Sequence, residues 1–158
     1  MNEGRKGRTD SASRVIAAPP QVIYEAFLDP DAWIKWLPPK VMRGRMQEFH
    51  PHAGGSYRMT LTYDDPNHSA AGKSSDHTDI VRGRFVELVA NKRLVQVVEF
   101  ESEDPAFAGP MTMTWSLVPV AGGTEVTIVC ENVPEGIRQE DHDAGLRSTL
   151  ENLAAFTE

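Results

Sequence analysis

His142 stands between Asp141 and Asp143. An imidazole titrates near neutrality, so this residue could exchange a proton or orient a ligand at a pocket mouth. The plainer reading is a surface histidine at a helix start. His50 and His52 flank Pro51; on a strand that spacing puts both on one side, and two imidazoles begin a metal site. Third and fourth ligands cannot be identified, so no metal is expected. His68 and His77 lie in a polar stretch with Asp64, Asp65, Asp76 and Asp79, but a calcium loop needs a tighter ligand pattern. Cys130 is the single cysteine, which excludes an internal disulfide framework and a cysteine-based zinc site. It is predicted on the buried face of a strand, where a thiol behaves as a small hydrophobe. A phosphate-binding glycine loop, a zinc-protease helix and a Gly-x-Ser-x-Gly elbow are all missing from the sequence. No catalytic residue and no cofactor is therefore assigned. Arg58 is expected to reach solvent or pair with an acid. Glu131 and Asn132 suit a turn or a polar pocket rim.

The elements that must position these residues follow from periodicity and breakers. Residues 1–10 read as a flexible tail, and 11–158 as one domain. A short strand is predicted over Ser13 to Ile16. Pro19 and Pro20 stop it and open a helix, whose apolar face carries Val22, Ile23, Ala26 and Phe27 at helical spacing. Asp29-Pro30 breaks that helix, and Asp31 is expected to cap a second short one bearing Trp33, Trp36 and Leu37. Strands are then predicted over Val41 to Phe49 and across Tyr57, Met59, Leu61 and Tyr63, which alternate with polar residues. Residues 64–78 form a long polar loop, a lid or an insertion. Ile80 to Leu88, Leu94 to Phe100, the Met111–Met113–Trp115–Leu117 alternation and Thr124 to Glu131 complete the strands, with Gly122-Gly123 as a tight hairpin. Leu146, Leu150 and Leu153 return to helical spacing, predicting an amphipathic helix from about Gln139 to Thr157. Strands bracketed by helices indicate an α+β fold: an antiparallel sheet covered on one face.

Composition narrows the classes further. The chain has 158 residues, is 40% hydrophobic and carries a net charge of −7. A domain of this size buries about 70% of its unfolded surface, enough for a core without staples. The acidic balance disfavours nucleic acid, where binding depends on neutralising phosphates. No apolar run approaches the roughly 18 residues of a membrane span, and the basic, apolar-poor start is unlike a secretory leader. A cytoplasmic protein, monomer or homodimer, is expected. Lys35 to Arg58 holds five bases against one acid, and Glu99 to Asp143 ten acids against Arg138. That split reads either as two solvated faces or as a dipolar surface that steers a partner.

Several strings, in order, resemble the helix-grip (START-like, SRPBCC) superfamily that includes START domains, the birch-pollen allergen and polyketide cyclases. They are Ile16-Ala17-Ala18-Pro19 with Val22-Ile23-Tyr24-Glu25-Ala26-Phe27; Trp33 and Trp36 before Pro38; Gly54-Gly55-Ser56-Tyr57-Arg58; Gly83-Arg84-Phe85-Val86-Glu87-Leu88; Gly122-Gly123-Thr124-Glu125-Val126-Thr127; and His142-Asp143-Ala144-Gly145-Leu146 with Leu150-Glu151-Asn152-Leu153-Ala154. Within it, the chain is similar to bacterial proteins related to the C-terminal domain of the heat-shock-protein-90 ATPase activator. Leu146 stands where that family commonly has an aromatic.

The resemblance implies a curved antiparallel sheet gripping the C-terminal helix, with a ligand cavity between them. The candidate lining is Trp33, Trp36, Met59, Phe85, Met111, Met113, Trp115, His142, Leu146 and Leu150. Methionine recurs at adaptable apolar surfaces, and Gly145, about 1 kcal/mol worse than alanine in a helix, suggests a close approach or an open volume. A dry cavity of roughly 300 Å³ would cost about 7 kcal/mol, comparable to the stability of a domain. Such a gap must be filled, offset by other packing, or collapsed. The expected function is binding of a small apolar or lipid-like molecule. The alternatives are a chaperone-associated interaction module and a cyclase- or hydrolase-type enzyme using the same cavity.

Overall fold

Prolines and glycines divide the chain at the points where its periodicity changes. The structure, a computed structural model, describes residues 8–37, 42–63, 78–102, 105–107 and 109–158. In chain order the elements are β1 (Arg8–Ile16), α1 (Pro20–Ala26), α2 (Pro30–Trp36), β2 (Met42–Phe49), β3 (Ser56–Tyr63), β4 (Thr78–Val89), β5 (Arg93–Phe100), a 3-10 turn (Pro105–Phe107), β6 (Met111–Val120), β7 (Gly123–Val133) and α3 (Gln139–Thr157). The seven strands form one antiparallel sheet in the order β1-β7-β6-β5-β4-β3-β2. From β2 to β7 each strand pairs with the next. β1 pairs with β7 instead, so α1 and α2 carry the chain from one edge of the sheet to the other.

The sheet curves around its helices. Register shifts interrupt the pairing at Arg8/Asp10, Met46/Glu48 and Phe85/Glu87; such bulges bend a strand and sharpen its twist. Period-two alternation sorts the strands' side chains: Tyr57, Met59, Val81, Phe85, Leu94, Val98, Met111, Trp115, Leu117, Val126, Ile128 and Cys130 are buried. Val86 and Val118 lie on the opposite face and are exposed.

The helices close the inner face. Asp29 caps α2, its carboxylate accepting the Asp31 N–H at 2.9 Å, so the cap is Asp29 and not Asp31. Pro30 takes the first helical position, where no intrahelical N–H is needed. α3 buries Leu146, Thr149, Leu150, Leu153 and Ala154 and touches β1, α1 and α2. The Thr149 hydroxyl donates to Leu37 O at 3.0 Å, tying α3 to the end of α2.

β1 begins at Arg8, five residues before the predicted Ser13, so Arg8, Thr9 and Asp10 of the expected tail belong to the sheet. Polar residues fill most of that stretch, which hid the alternation. The predicted loop over 64–78 and its role as a lid lie outside the described residues, apart from Thr78, which opens β4. No helix among the described residues is long and apolar enough to cross a membrane.

Candidate ligand site between the sheet and the C-terminal helix

Strand register places Asp10, Cys130, Met113, Gln96 and Phe85 in one row across β1, β7, β6, β5 and β4. At strand spacing, Asp10 and Gln96 are separated by about 14 Å of sheet. Four of the five are buried, whereas Met113, at the centre, is half-buried. Met113 thus keeps some solvent contact between two fully covered neighbours while packing against the buried cluster. On the helix side, a Cβ at Gly145 would meet nothing within 4 Å. Of the two expectations for this glycine, the close approach is not made by any described residue.

α1 and α2 deliver Phe27, Trp33 and Trp36 onto this face. Edge-to-face contacts join them to one another and to the strands: Phe27 to Trp36 at 5.1 Å between centroids, Phe27 to Trp115 at 4.9 Å, Trp33 to Tyr57 at 5.1 Å and Trp33 to Phe49 at 5.5 Å. Such pairs contribute about 0.5–1.5 kcal/mol each beyond area burial. The Trp36 Nε1–H donates to Ala26 O at 3.1 Å. The other two tryptophans differ. Trp33 Nε1, Trp115 Nε1 and Gln96 Nε2 have no acceptor among the described residues, in side chains that are 1%, 1% and 2% exposed. The Tyr57 hydroxyl donates to Gln96 Oε1 at 2.7 Å. Burial pushes the Tyr57 phenol well above its ordinary range, so it remains a donor and holds the amide with its NH2 unpaired. Each buried donor without an acceptor costs about 1–3 kcal/mol. Trp33 and Trp115 belong to one aromatic cluster, and Gln96 joins it through Tyr57.

The opposite end of the row is ionic. The Asp10 side chain is fully buried. It accepts Arg8 Nη2 at 2.9 Å and faces His142 Nδ1 at 2.7 Å, while Arg8 Nη2 also donates to Ile137 O at 2.6 Å. Burial acts to raise the Asp10 pKa, but the hydrogen bonds from Arg8 and His142, with their charges, hold it below the usual aspartate value. Asp10 is thus an ionised, acceptor-only partner, and the proton between it and His142 belongs to Nδ1. Cys130, beside Asp10 on β7, has its thiol pushed up to about 12 by burial and then by the Asp10 charge.

Among the residues expected from the sequence, Trp33, Trp36, Phe85, Met111, Trp115, Leu146 and Leu150 share one contiguous buried cluster, with Met113 packed against it. Met59 is buried on β3. His142 is not at the surface: its side chain is 14% exposed and paired with Asp10. Three polar residues were not singled out from the sequence as site candidates: Gln96 and Asp10, in inward slots, and Tyr57, which bonds Gln96. The legible signal was Gln96, a polar residue at an apolar period-two position between Leu94 and Val98. Elsewhere, His50 and His52 are exposed, and no three His, Cys, Asp or Glu gather among the described residues. Arg58 pairs with Glu101 at 2.8 Å, as expected of it.

A seven-stranded antiparallel sheet curved around a long C-terminal helix defines the α+β helix-grip class. The chain belongs to the family described as Activator of Hsp90 ATPase homolog 1-like protein, which matches residues 17–158. Among solved structures, a protein of Chromobacterium violaceum is similar at 33% identity and a TM-score of 0.83, with 95% of this chain and 96% of that one covered. A Rhodobacter sphaeroides protein (22% identity, TM-score 0.71, 96% and 95% covered) shares the fold. So does one from Mesorhizobium loti (21%, 0.70, 94% and 96%). No curated protein matches the chain.

Proposed function

We propose that the protein binds a small hydrophobic or amphipathic molecule between its curved sheet and α3, and that this molecule presents hydrogen-bond-accepting oxygen to the aromatic cluster. The observation that carries the reading is the set of three buried N–H donors, Trp33 Nε1, Trp115 Nε1 and Gln96 Nε2, without acceptors among the described residues. Water can serve such donors in the empty protein, and a ligand oxygen that replaces it keeps the hydrogen bonds while the surrounding rings bury the apolar remainder. Gln96 and Trp115 are diagonal neighbours on adjacent strands, roughly 7–8 Å apart at the backbone, within the span of one small molecule.

A matched pair of probes tests this. 2-Acetylnaphthalene offers a carbonyl oxygen, and 2-ethylnaphthalene has nearly the same shape without it. Saturable quenching of tryptophan emission and a rise in melting temperature are expected for the ketone, with about tenfold weaker binding of the hydrocarbon. Equal affinities would remove the role of the donors, and no saturable binding of either would remove the site.

A chaperone-associated module is the second reading, supported by the family description. The charge split gives it little help: Arg58 of the basic segment and Glu101 of the acidic one neutralise each other, with Arg82 3.5 Å from the same carboxylate. Salt-sensitive association with a chaperone, unaffected by Trp115→Phe, is the result that would favour it.

A further inference from the structure

We infer that His142, aligned by Asp10, is a proton-accepting residue for a hydroxyl-bearing guest, of phenolic or enolic type, in the gap between sheet and helix. The inference rests on the gap being a ligand site and adds a second pole to it. Asp10 is ionised and accepts only, so His142 carries its proton on Nδ1. In the neutral ring Nε2 is then a lone-pair acceptor, and it has no protein partner among the described residues.

Position supports the same role. His142 lies one helical turn before Leu146 on the face of α3 that is buried against the sheet. Asp10 neighbours Cys130, and Met113, the half-buried centre of the row, comes next. The ring meets Asp10 on β1, whose carboxylate Arg8 shares and which pairs with Cys130 on β7, while Asp141 and Asp143 are its chain neighbours on α3. Arg8 shares the Asp10 carboxylate with the imidazole through its own hydrogen bonds, and the carboxylate fixes the orientation of the ring. Asp10 is the positioning residue, and His142 meets the guest. A carboxylate-aligned imidazole is the arrangement that lets a histidine accept a proton and stay stable once charged. In the transfer, the guest O–H bond breaks, Nε2–H forms, and the resulting imidazolium faces Asp10 through Nδ1–H.

2-Naphthol is a suitable probe, because its hydroxyl becomes strongly acidic on excitation and its anion emits at longer wavelength. Bound to the protein and excited beyond tryptophan absorption, it is expected to show naphtholate emission, and to bind about tenfold more tightly than 2-methoxynaphthalene, which has no proton to give. In His142→Phe the emission should return to the neutral form and the two probes should bind alike. His142→Gln keeps an N–H for Asp10 but removes the basic nitrogen, and should behave as His142→Phe does even if the latter folds poorly. Equal binding of both probes to the unmodified protein, or naphtholate emission that survives in His142→Gln, overturns the inference and leaves the apolar site standing. Absence of binding by either probe overturns both.

Discussion

The Tyr57 hydroxyl reaches Gln96 Oε1 at 2.7 Å from β3 to β5, over the intervening β4. Gly83 makes this possible. It pairs with Tyr57, and a Cβ there would lie well inside contact distance of Cζ of the phenol ring. One glycine thus lets a tyrosine lie across a strand and fix the orientation of an amide at the centre of the candidate site. Tyr57→Phe and Gln96→Leu should each destabilise by about 1–3 kcal/mol in urea denaturation, because each strands a partner. The double variant should lose less than the sum, since both polar groups are then gone. Strict additivity would mean the bond has no energetic role.

Two glycines should respond oppositely to the same change. Gly83→Ala forces the Tyr57 ring aside and should cost about 1–3 kcal/mol as overpacking. Gly145→Ala adds a methyl where nothing lies within 4 Å and should gain up to about 1 kcal/mol of helix propensity. Calorimetry should show the first variant melting lower than the parent and the second higher, by about 2–4 °C per kcal/mol for a chain of this size.

Much of the architecture was readable because burial on one face forces period-two alternation in strands and a 3.6 period in α3. The Met111 to Leu117 alternation and the Leu146–Leu150–Leu153 spacing both became elements with the expected inward faces. The apolar residues of the candidate site were readable as inward-facing for the same reason. The polar half was not. Asp10 sits in a strand rich in charged and small polar residues, and its partner His142 is 132 positions away, so no local pattern joins them. Gln96 shows as a break in alternation, but its pairing with Tyr57 depends on the absence of a side chain at Gly83, a relation made by register and not by sequence distance.

Two of the tryptophans should separate stability from binding. Trp36→Phe removes a satisfied donor and leaves Ala26 O without it, whereas Trp33→Phe removes an N–H that already lacks an acceptor. Both lose ring volume, so in the ligand-free protein Trp33→Phe should be the milder by about 1 kcal/mol. Affinity for 2-acetylnaphthalene should fall more in Trp33→Phe. Denaturation and fluorescence titration on the two variants check the inversion.

Asp10 should govern part of the acid sensitivity. Its pKa is lower in the folded protein, so its contribution is fully present above the unfolded aspartate value of about 3.9 and is lost as pH falls from there through the folded pKa. Melting temperatures of Asp10→Asn should be lower than those of the parent near neutrality and converge with them in acid. A constant difference between the two curves at every pH would count against an ionised Asp10.

Cys130 should resist alkylation. With its thiol pushed up to about 12 by burial and the Asp10 charge, almost no thiolate exists at pH 8. Iodoacetamide should leave the folded protein unmodified over hours and label it rapidly in urea, as read by intact mass.

Native mass spectrometry of freshly purified protein addresses the ligand most directly. The account predicts a population heavier than the bare chain by one small oxygen-containing organic molecule, lost on denaturation and reduced in Gln96→Leu and Trp33→Phe. A bare-chain mass alone, joined by failure of 2-acetylnaphthalene to form a complex under the same gentle conditions, would contradict it.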